Sequence, residues 1–240
     1  VDAARHHTRA AFFQPKLLLM RDPQILNSAG NMIHIAGFGV CRGIEMPDAE
    51  RYQESEISYS SGACTLARVK ALNDIGPMEE LFWAYGEDKD WGWRALMMGW
   101  VSVYVPTAKV LHKWSPTLGE TPRKFYLLEF ERLLSIWKNY STRTIILLAP
   151  VLLVVEAAVL LHAVLRGWLR AKLQSYVDLL RLRRIVGERR KTVQARRTVP
   201  DSVLVKEFVT EIEHPYIIRP AALVLNRLVT SLFSCVRNSI

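Results

Sequence analysis

The run TIILLAPVLLVVEAAVLLHAVL, Thr144 to Leu165, constrains what this chain can fold into more than any other stretch. It is about as long as the ~20 apolar residues that cross a bilayer. Pro150, Glu156 and His162 interrupt it. An acid at mid-bilayer costs on the order of 2.5–3.5 kcal/mol by insertion scales, an amount this many Leu, Val and Ile can offset. The expectation is a hydrophobic membrane segment, a transmembrane helix by length, over residues 144–165.

A basic segment follows directly. From Arg166 to Arg197 there are eleven Lys or Arg against Asp178 and Glu188, a surplus equal to the net charge of +9 of all 240 residues. Leu169, Leu173, Tyr176 and Leu180 form an apolar stripe between these arginines. Arginine clusters can bind nucleic acid. Here only Trp168 and Tyr176 are available to stack on bases, so anionic membrane lipid is the expected partner and nucleic acid is not. The last apolar stretch, 217–236, carries Arg219, Asn226 and Arg227, which suits an interfacial helix rather than a spanning one.

The chain is long enough for one substantial core and an appendage. Cys41, Cys64 and Cys235 lie far apart, without metal-ligand spacing or a disulfide framework, which suits a reducing compartment. The first residue is Val1, and the start is read as a point inside a longer parent protein. Residues 1–118 read as mixed α/β. PKLLLM (Pro15 to Met20) is a candidate buried strand, and NMIHIAGFGVCRG is an extended segment with a glycine-rich turn. SSGACTLARVKALNDIG is a strand end and turn leading to a helix that closes near Gly76. VSVYVP (Val101 to Pro106) is a β-branched alternating strand. In TPRKFYLLEFERLLSIWKN, Thr121 caps an amphipathic helix, with Tyr126, Phe130, Leu134 and Trp137 on one face.

Between those parts lies YGEDKDWGWRALMMGW, Tyr85 to Trp100. Gly86 ends a turn, EDKDWGWRALMMG begins a helix, and Gly99 stops it. Asp88 and Asp90 fall where exposed N–H groups favour anions, and Asp90 can pair with Arg94 four residues on. Taken alone, this is a capped helix with an acidic first turn.

Taken with its neighbours, the stretch resembles the acceptor-side, C-terminal half of family 2 (GT-A fold) glycosyltransferases, especially the rhamnosyltransferase-like bacterial members. The residues that carry the resemblance are Ser61-Gly62-Ala63, Gly76-Pro77-Met78-Glu79-Glu80-Leu81-Phe82, and Glu87-Asp88-Lys89-Asp90-Trp91 with Arg94 and Gly99. Val105-Pro106-Thr107-Ala108 and His112 complete the set, and the resemblance spans roughly residues 12 to 140. Two departures stand out. Pro77-Met78-Glu79 replaces the family's usual G-F-D, and no D-D or D-x-D element of the sugar-nucleotide half occurs in residues 1 to 60.

The resemblance implies a partial GT-A α/β fold with a Rossmann-like sheet, followed by a helical membrane-associated C-terminal region. Its parts are the acceptor-side half over 1–118, an amphipathic helix linker over 119–143, the hydrophobic segment over 144–165 and a basic amphipathic tail over 166–240. It implies an inverting transfer from a nucleotide-sugar donor to a cell-envelope polysaccharide or lipid-linked acceptor. Asp88 would be the general base, with Glu87 beside it raising its proton affinity. Asp90 and Arg94 join the candidate catalytic set, Arg94 by orienting Asp90. Gly62, Trp83, Trp91, Trp93 and Trp114 are candidate acceptor-binding residues, the tryptophans as flat platforms or, alternatively, as core. A divalent cation (Mg or Mn) would neutralise the departing diphosphate. His112 would be a ligand or a structural partner, and the main aspartate ligands would lie upstream. The alternative is a catalytically incomplete membrane-binding fragment without turnover.

Sugar nucleotides are cytosolic, and the positive-inside rule also puts Arg166 to Arg197 in the cytosol. One straight crossing between them cannot satisfy both. The expectation is therefore the cytoplasmic face of the cell inner membrane, with 144–165 re-entering or lying against the bilayer beside 217–236.

Overall fold

The computed structural model describes residues 1–48, 52–114, 119–212 and 219–240, with the backbone alone at 219–221. The expected boundary at 118 and the residues Ile217 and Ile218 lie outside the described residues. After a short helix α1 (Asp2–His6), strand β1 (Ala10–Leu19) runs through the centre of the α/β part, and all ten of its residues are buried. This is the expected PKLLLM strand, extended upstream by an equally apolar AAFF. Its one charged residue, Lys16, is paired with Asp48 at 2.5 Å.

β2 (Asp22–Ser28) turns back antiparallel along the end of β1. β3 (Asn31–Ile33) and β4 (Gly39–Cys41) form a separate hairpin around the glycine-rich turn. β5 (Ser55–Ile57), β6 (Leu66–Ala67) and helix α2 (Val69–Ile75) follow, and Gly76 closes α2 at a φ of 81°. Then come α3 (Glu87–Met97) and β7 (Val101–His112), which lies parallel to β1. The sheet order is β2-β1-β7-β5, with β6 on β1. Only β1 and β7 are parallel, so the expected α/β architecture is present with a mixed sheet. The short turn from β1 to β2 makes that pair antiparallel, and β6 on β1 and β5 on β7 pair antiparallel across longer connections.

The rest of the described chain is helical: α4 (Pro122–Asn139), α5 (Thr142–Leu147), α6 (Ala149–Leu165), α7 (Leu169–Arg181), α8 (Arg183–Arg196), α9 (Asp201–Leu204) and α10 (Arg219–Val236). Thr121 caps α4 by accepting from Lys124 N at 3.3 Å, as expected, and Pro122 occupies the first turn. One core joins these helices to the α/β part. It contains Trp93 and Met97 of α3, Ile136 and Tyr140 at the end of α4, Val151 and Val155 of α6, and Val229 and Phe233 of α10.

The apolar run is corrected too. It is broken at Leu148 into α5 and the 17-residue α6, and no helix among the described residues is long and apolar enough to cross a membrane. Glu156 explains much of this. It meets Arg132 and Lys172, each at 2.5 Å, and accepts from the Tyr176 hydroxyl. The acid in the middle of the run therefore serves a buried ion network between α4, α6 and α7, which Glu129 completes.

The basic segment is also partly internal. Lys172 is fully buried, Arg190 donates to the Trp137 and Tyr140 carbonyls, and Arg197 pairs with Asp201. Arg190 and Arg197 close the end of α4, and Lys172 is held between Glu129 and Glu156.

Candidate active site

Two left-handed residues launch α3: Tyr85 at a φ of 68° and Gly86 at 74°. Gly86 has little alternative, because a Cβ there would sit 1.7 Å from Glu131 Cγ of α4. Gly92, two turns of chain later, lets α3 press on Tyr59, whose Cβ would stand 2.2 Å from an added methyl. These close approaches seat the first turn of α3 between the loop after β5 and helix α4.

The acids of that turn then separate in role. Asp88 is half-buried. Its Oδ2 accepts from Gly62 N at 2.8 Å, and its Oδ1 accepts from Lys89 N at 2.7 Å. Each carboxylate oxygen has a second lone pair, so both hydrogen bonds leave proton-accepting capacity. Burial raises the Asp88 carboxyl above its ordinary value, against the lowering effect of the Gly62 and Lys89 N–H groups. Glu87 is also raised, by burial and then by the Asp88 charge, and its Oε2 has no partner among the described residues. Ser61 N is in turn held by Gln14 Oε1 of β1 at 2.8 Å. The Ser-Gly-Ala and Glu-Asp elements, 26 residues apart between Gly62 and Asp88, are thus in contact.

Asp90 faces the other way and is completely buried. Arg94 Nε (2.9 Å), Lys138 Nζ (2.8 Å) and Asn139 Nδ2 (2.9 Å) all donate to it. Burial pushes its carboxyl up, but Lys138 and Arg94 outweigh that and bring it to about 2. Arg94 also donates to the carbonyls of Ile75 (2.7 Å) and Pro77 (2.8 Å), which ties the Pro77-Met78-Glu79 segment to α3. Glu79 itself meets Lys138 at 3.3 Å. Asp90 and Arg94 accordingly position α3, and neither reaches the surface beside Asp88.

Beside the same turn is a cavity of about 330 Å³, lined mainly by Leu81, Phe82, Trp83, Tyr126, Phe130 and Glu131. Trp83 is 68% exposed at its edge, with the Arg123 guanidinium 4.7 Å from the ring centre. Neither Arg123 nor Lys124 has a carboxylate partner among the described residues; Lys124 lies over the Tyr85 ring.

The other tryptophans differ. Trp91 is half-buried against Phe12 and donates to Gly76 O at 2.9 Å. Trp93 is a correction: it is fully buried, edge-on to Tyr140 and Phe208, and offers no face to an acceptor. Trp114 follows β7, its backbone N–H donating to His112 O at 3.0 Å.

His112 does not join Asp88. It pairs in register with Leu19, and its Nδ1 donates to Asn27 Oδ1 at 2.8 Å. Five residues of β1 separate Leu19 from Gln14, which holds Ser61; at roughly 3.3 Å per residue that is about 16 Å of strand. Burial lowers the imidazole pKa. Among the described residues no three His, Cys, Asp or Glu side chains gather to hold a metal.

Sequence reasoning missed Lys89 and Glu131. Lys89 Nζ is buried between Gly37 O and Glu131, directly behind Asp88. Burial drives the Glu131 carboxyl up to about 7, with Lys89 partly opposing. Cys41 of β4 is a further neighbour; burial and the Asp88 charge push its thiol up to about 12. The one available signal was Glu131, Ser135 and Lys138, spaced four and three apart on α4, which marks a second and polar buried face.

No protein-family model matches the chain. Over 75 residues it is 41% identical to N-acetylglucosaminyl-diphospho-decaprenol L-rhamnosyltransferase of two Mycobacterium tuberculosis strains, CDC 1551 / Oshkosh and ATCC 25618 / H37Rv. The match covers 30% of this chain and 24% of each relative, so the chain spans about a quarter of their length. That likeness relates part of the chain to a glycosyltransferase.

Proposed function

We propose that this chain is the acceptor-side part of an inverting glycosyltransferase that uses a nucleotide-sugar donor and a lipid-linked or cell-envelope saccharide acceptor. The observation that carries the reading is Asp88 held under Gly62, with its carboxyl raised by burial, one residue from Glu87 and beside an aromatic-lined cavity. The M. tuberculosis relatives supply the class: rhamnosyl transfer to an N-acetylglucosaminyl diphosphate on decaprenol.

In the proposed step an acceptor hydroxyl attacks the anomeric carbon of the donor. A C–O bond forms, the bond to the nucleoside diphosphate breaks on the opposite face, and Asp88 takes the hydroxyl proton. Lys89 and Glu131 brace the turn from behind, and Asp90 with Arg94 and Lys138 fixes its orientation. Trp83 and Arg123 offer an aromatic face and a cation to the acceptor. A divalent Mg or Mn ion, which would neutralise the departing diphosphate, belongs to the same proposal. The reading includes anionic membrane lipid as a partner and the cytoplasmic face of the inner membrane as the location. A second reading, a chain with the acceptor-side fold but no turnover of its own, draws on the separation of His112 from Asp88.

The test is rhamnosyl transfer from a nucleotide-activated donor to N-acetylglucosaminyl-diphospho-polyprenol, with wild type compared to Asp88→Asn. The expected loss is about 100-fold or more, the usual contribution of a general base. An active wild type whose Asp88→Asn form turns over at full rate removes Asp88 from the chemistry, and a wild type without turnover selects the second reading.

A further inference from the structure

Helix α6 buries Val151 and Val155 in the main core and sends Glu156 to Arg132 and Lys172. On the opposite side Ile146, Pro150, Leu153, Ala157, Leu161 and Val164 are all exposed, at spacings of four, three, four, four and three residues. From Pro150 to Val164 that spacing follows one face of α6 over about 21 Å, and Ile146 of α5 precedes it. Leu153 is 70% exposed and Leu161 59%. Single exposed leucines are ordinary in water, but an apolar row along a whole helix face is not. α7 and α10 both pack against α6. Each adds exposed apolar residues: Leu169, Leu173, Val177 and Leu180 on α7, and Leu223, Val224 and Leu228 on α10.

The charges around this surface have one sign. Residues 142–187 hold seven Lys or Arg and two acids, and 219–240 hold no acid. Of the two acids, Glu156 is turned inward and Asp178 meets Arg181 at 3.2 Å. Among the described residues Arg170 and Arg184 have no carboxylate partner, whereas Arg166 is paired with Glu120.

We infer that the exposed sides of α5, α6, α7 and α10 form a docking face that lies in the plane of an anionic bilayer surface and does not cross it. The apolar rows enter the boundary between headgroups and acyl chains, and the arginines stand at phosphate level, where each basic residue is drawn by the surface potential. A second copy of the chain fits less well, because it would bring an equally positive face. The docking deepens the lipid part of the proposed function, and one consequence rests on its transferase part. Phe125 of α4 stacks with His162 and Trp168 at the end of α6, with ring centres 6.0 and 5.5 Å away. The N-terminal half of α4, which lines the cavity, therefore stands at the end of the lipid-facing surface, where a membrane-anchored acceptor can reach it.

The test is sedimentation of the full chain with vesicles of phosphatidylcholine alone, or with one-third phosphatidylglycerol. Binding is expected on the anionic vesicles, weakening at high salt and released by alkaline carbonate. Leu153→Glu with Leu161→Glu is expected to lower partitioning by more than about tenfold, since both side chains lose their apolar burial. Arg170→Ser with Arg184→Ser should lower it several-fold on anionic vesicles only. All four positions are exposed, so circular dichroism should show both variants folded. The inference is overturned by failure to sediment, by unchanged binding of the leucine variant, or by retention after carbonate. It is also overturned by a concentration-dependent dimer that Leu153→Glu abolishes while vesicle binding stays the same. Turnover is not part of the readout, so failure here removes the lipid partner from the proposed function and leaves its transfer chemistry standing.

Discussion

Asp88 Oδ2 lies 2.8 Å from the backbone nitrogen of Gly62. That contact draws the first turn of α3 under the loop after β5 and leaves Asp88 half-buried. A freely solvated acid at a helix start would have its pKa lowered by the helix dipole; here burial reverses the direction.

The pH dependence of turnover follows from that sign. Asp88 must be ionised to accept a proton, and burial raises its carboxyl, as burial and the neighbouring charge raise that of Glu87. On the acid side kcat/KM should fall about tenfold per pH unit, beginning above the ordinary carboxylate range. A pH–rate profile flat down to pH ~4, the ordinary carboxylate range, would show that no raised carboxylate is required.

Asp90→Asn should destabilise the fold by about 3 kcal/mol or more, because buried Lys138 and Arg94 lose their shared anion. The folded pKa of Asp90, about 2, is below its unfolded value of 3.8. Its contribution is therefore present above the unfolded value and is lost as pH falls through about 2. Urea titrations of both proteins near neutral pH and in acid measure the difference and its decline.

Glu156→Gln separates two environments for the apolar run. In the ion network, removing the charge leaves Arg132 and Lys172 short of an anion and should cost about 2 kcal/mol or more in denaturant unfolding. A lipid-facing acid would give the opposite result, since its neutralisation relieves a burial penalty.

Trp83→Ala should leave stability within about 0.5 kcal/mol, because the ring is exposed. The expected kinetic effect is a KM for the acceptor raised about three- to tenfold with kcat nearly unchanged, the pattern of a lost binding contact. Equal KM values would remove the Trp83–Arg123 pair from the acceptor site.

Local rules reached some of this molecule directly. The apolar composition of PKLLLM and the alternation of VSVYVP marked β1 and β7, Thr121 and Pro122 marked the start of α4, and the four-residue spacing of Asp90 and Arg94 marked their ion pair. Each depends only on neighbours within one element, which is why it could be read from order alone. Trp83 and Trp93 show where that stops: ten residues apart in one aromatic stretch, one is largely exposed and the other fully buried.

The same limit explains the apolar run. Its length and composition determined that Thr144–Leu165 would be helical and would need an apolar environment. Only the tertiary structure decided that Glu156 would turn toward Arg132 and Lys172, that Lys89 would meet Glu131, and that His112 would stay with Asn27. The cost of a buried charge is set by the counter-charge brought to it, and that partner comes from another element, at a distance along the chain that no local pattern encodes.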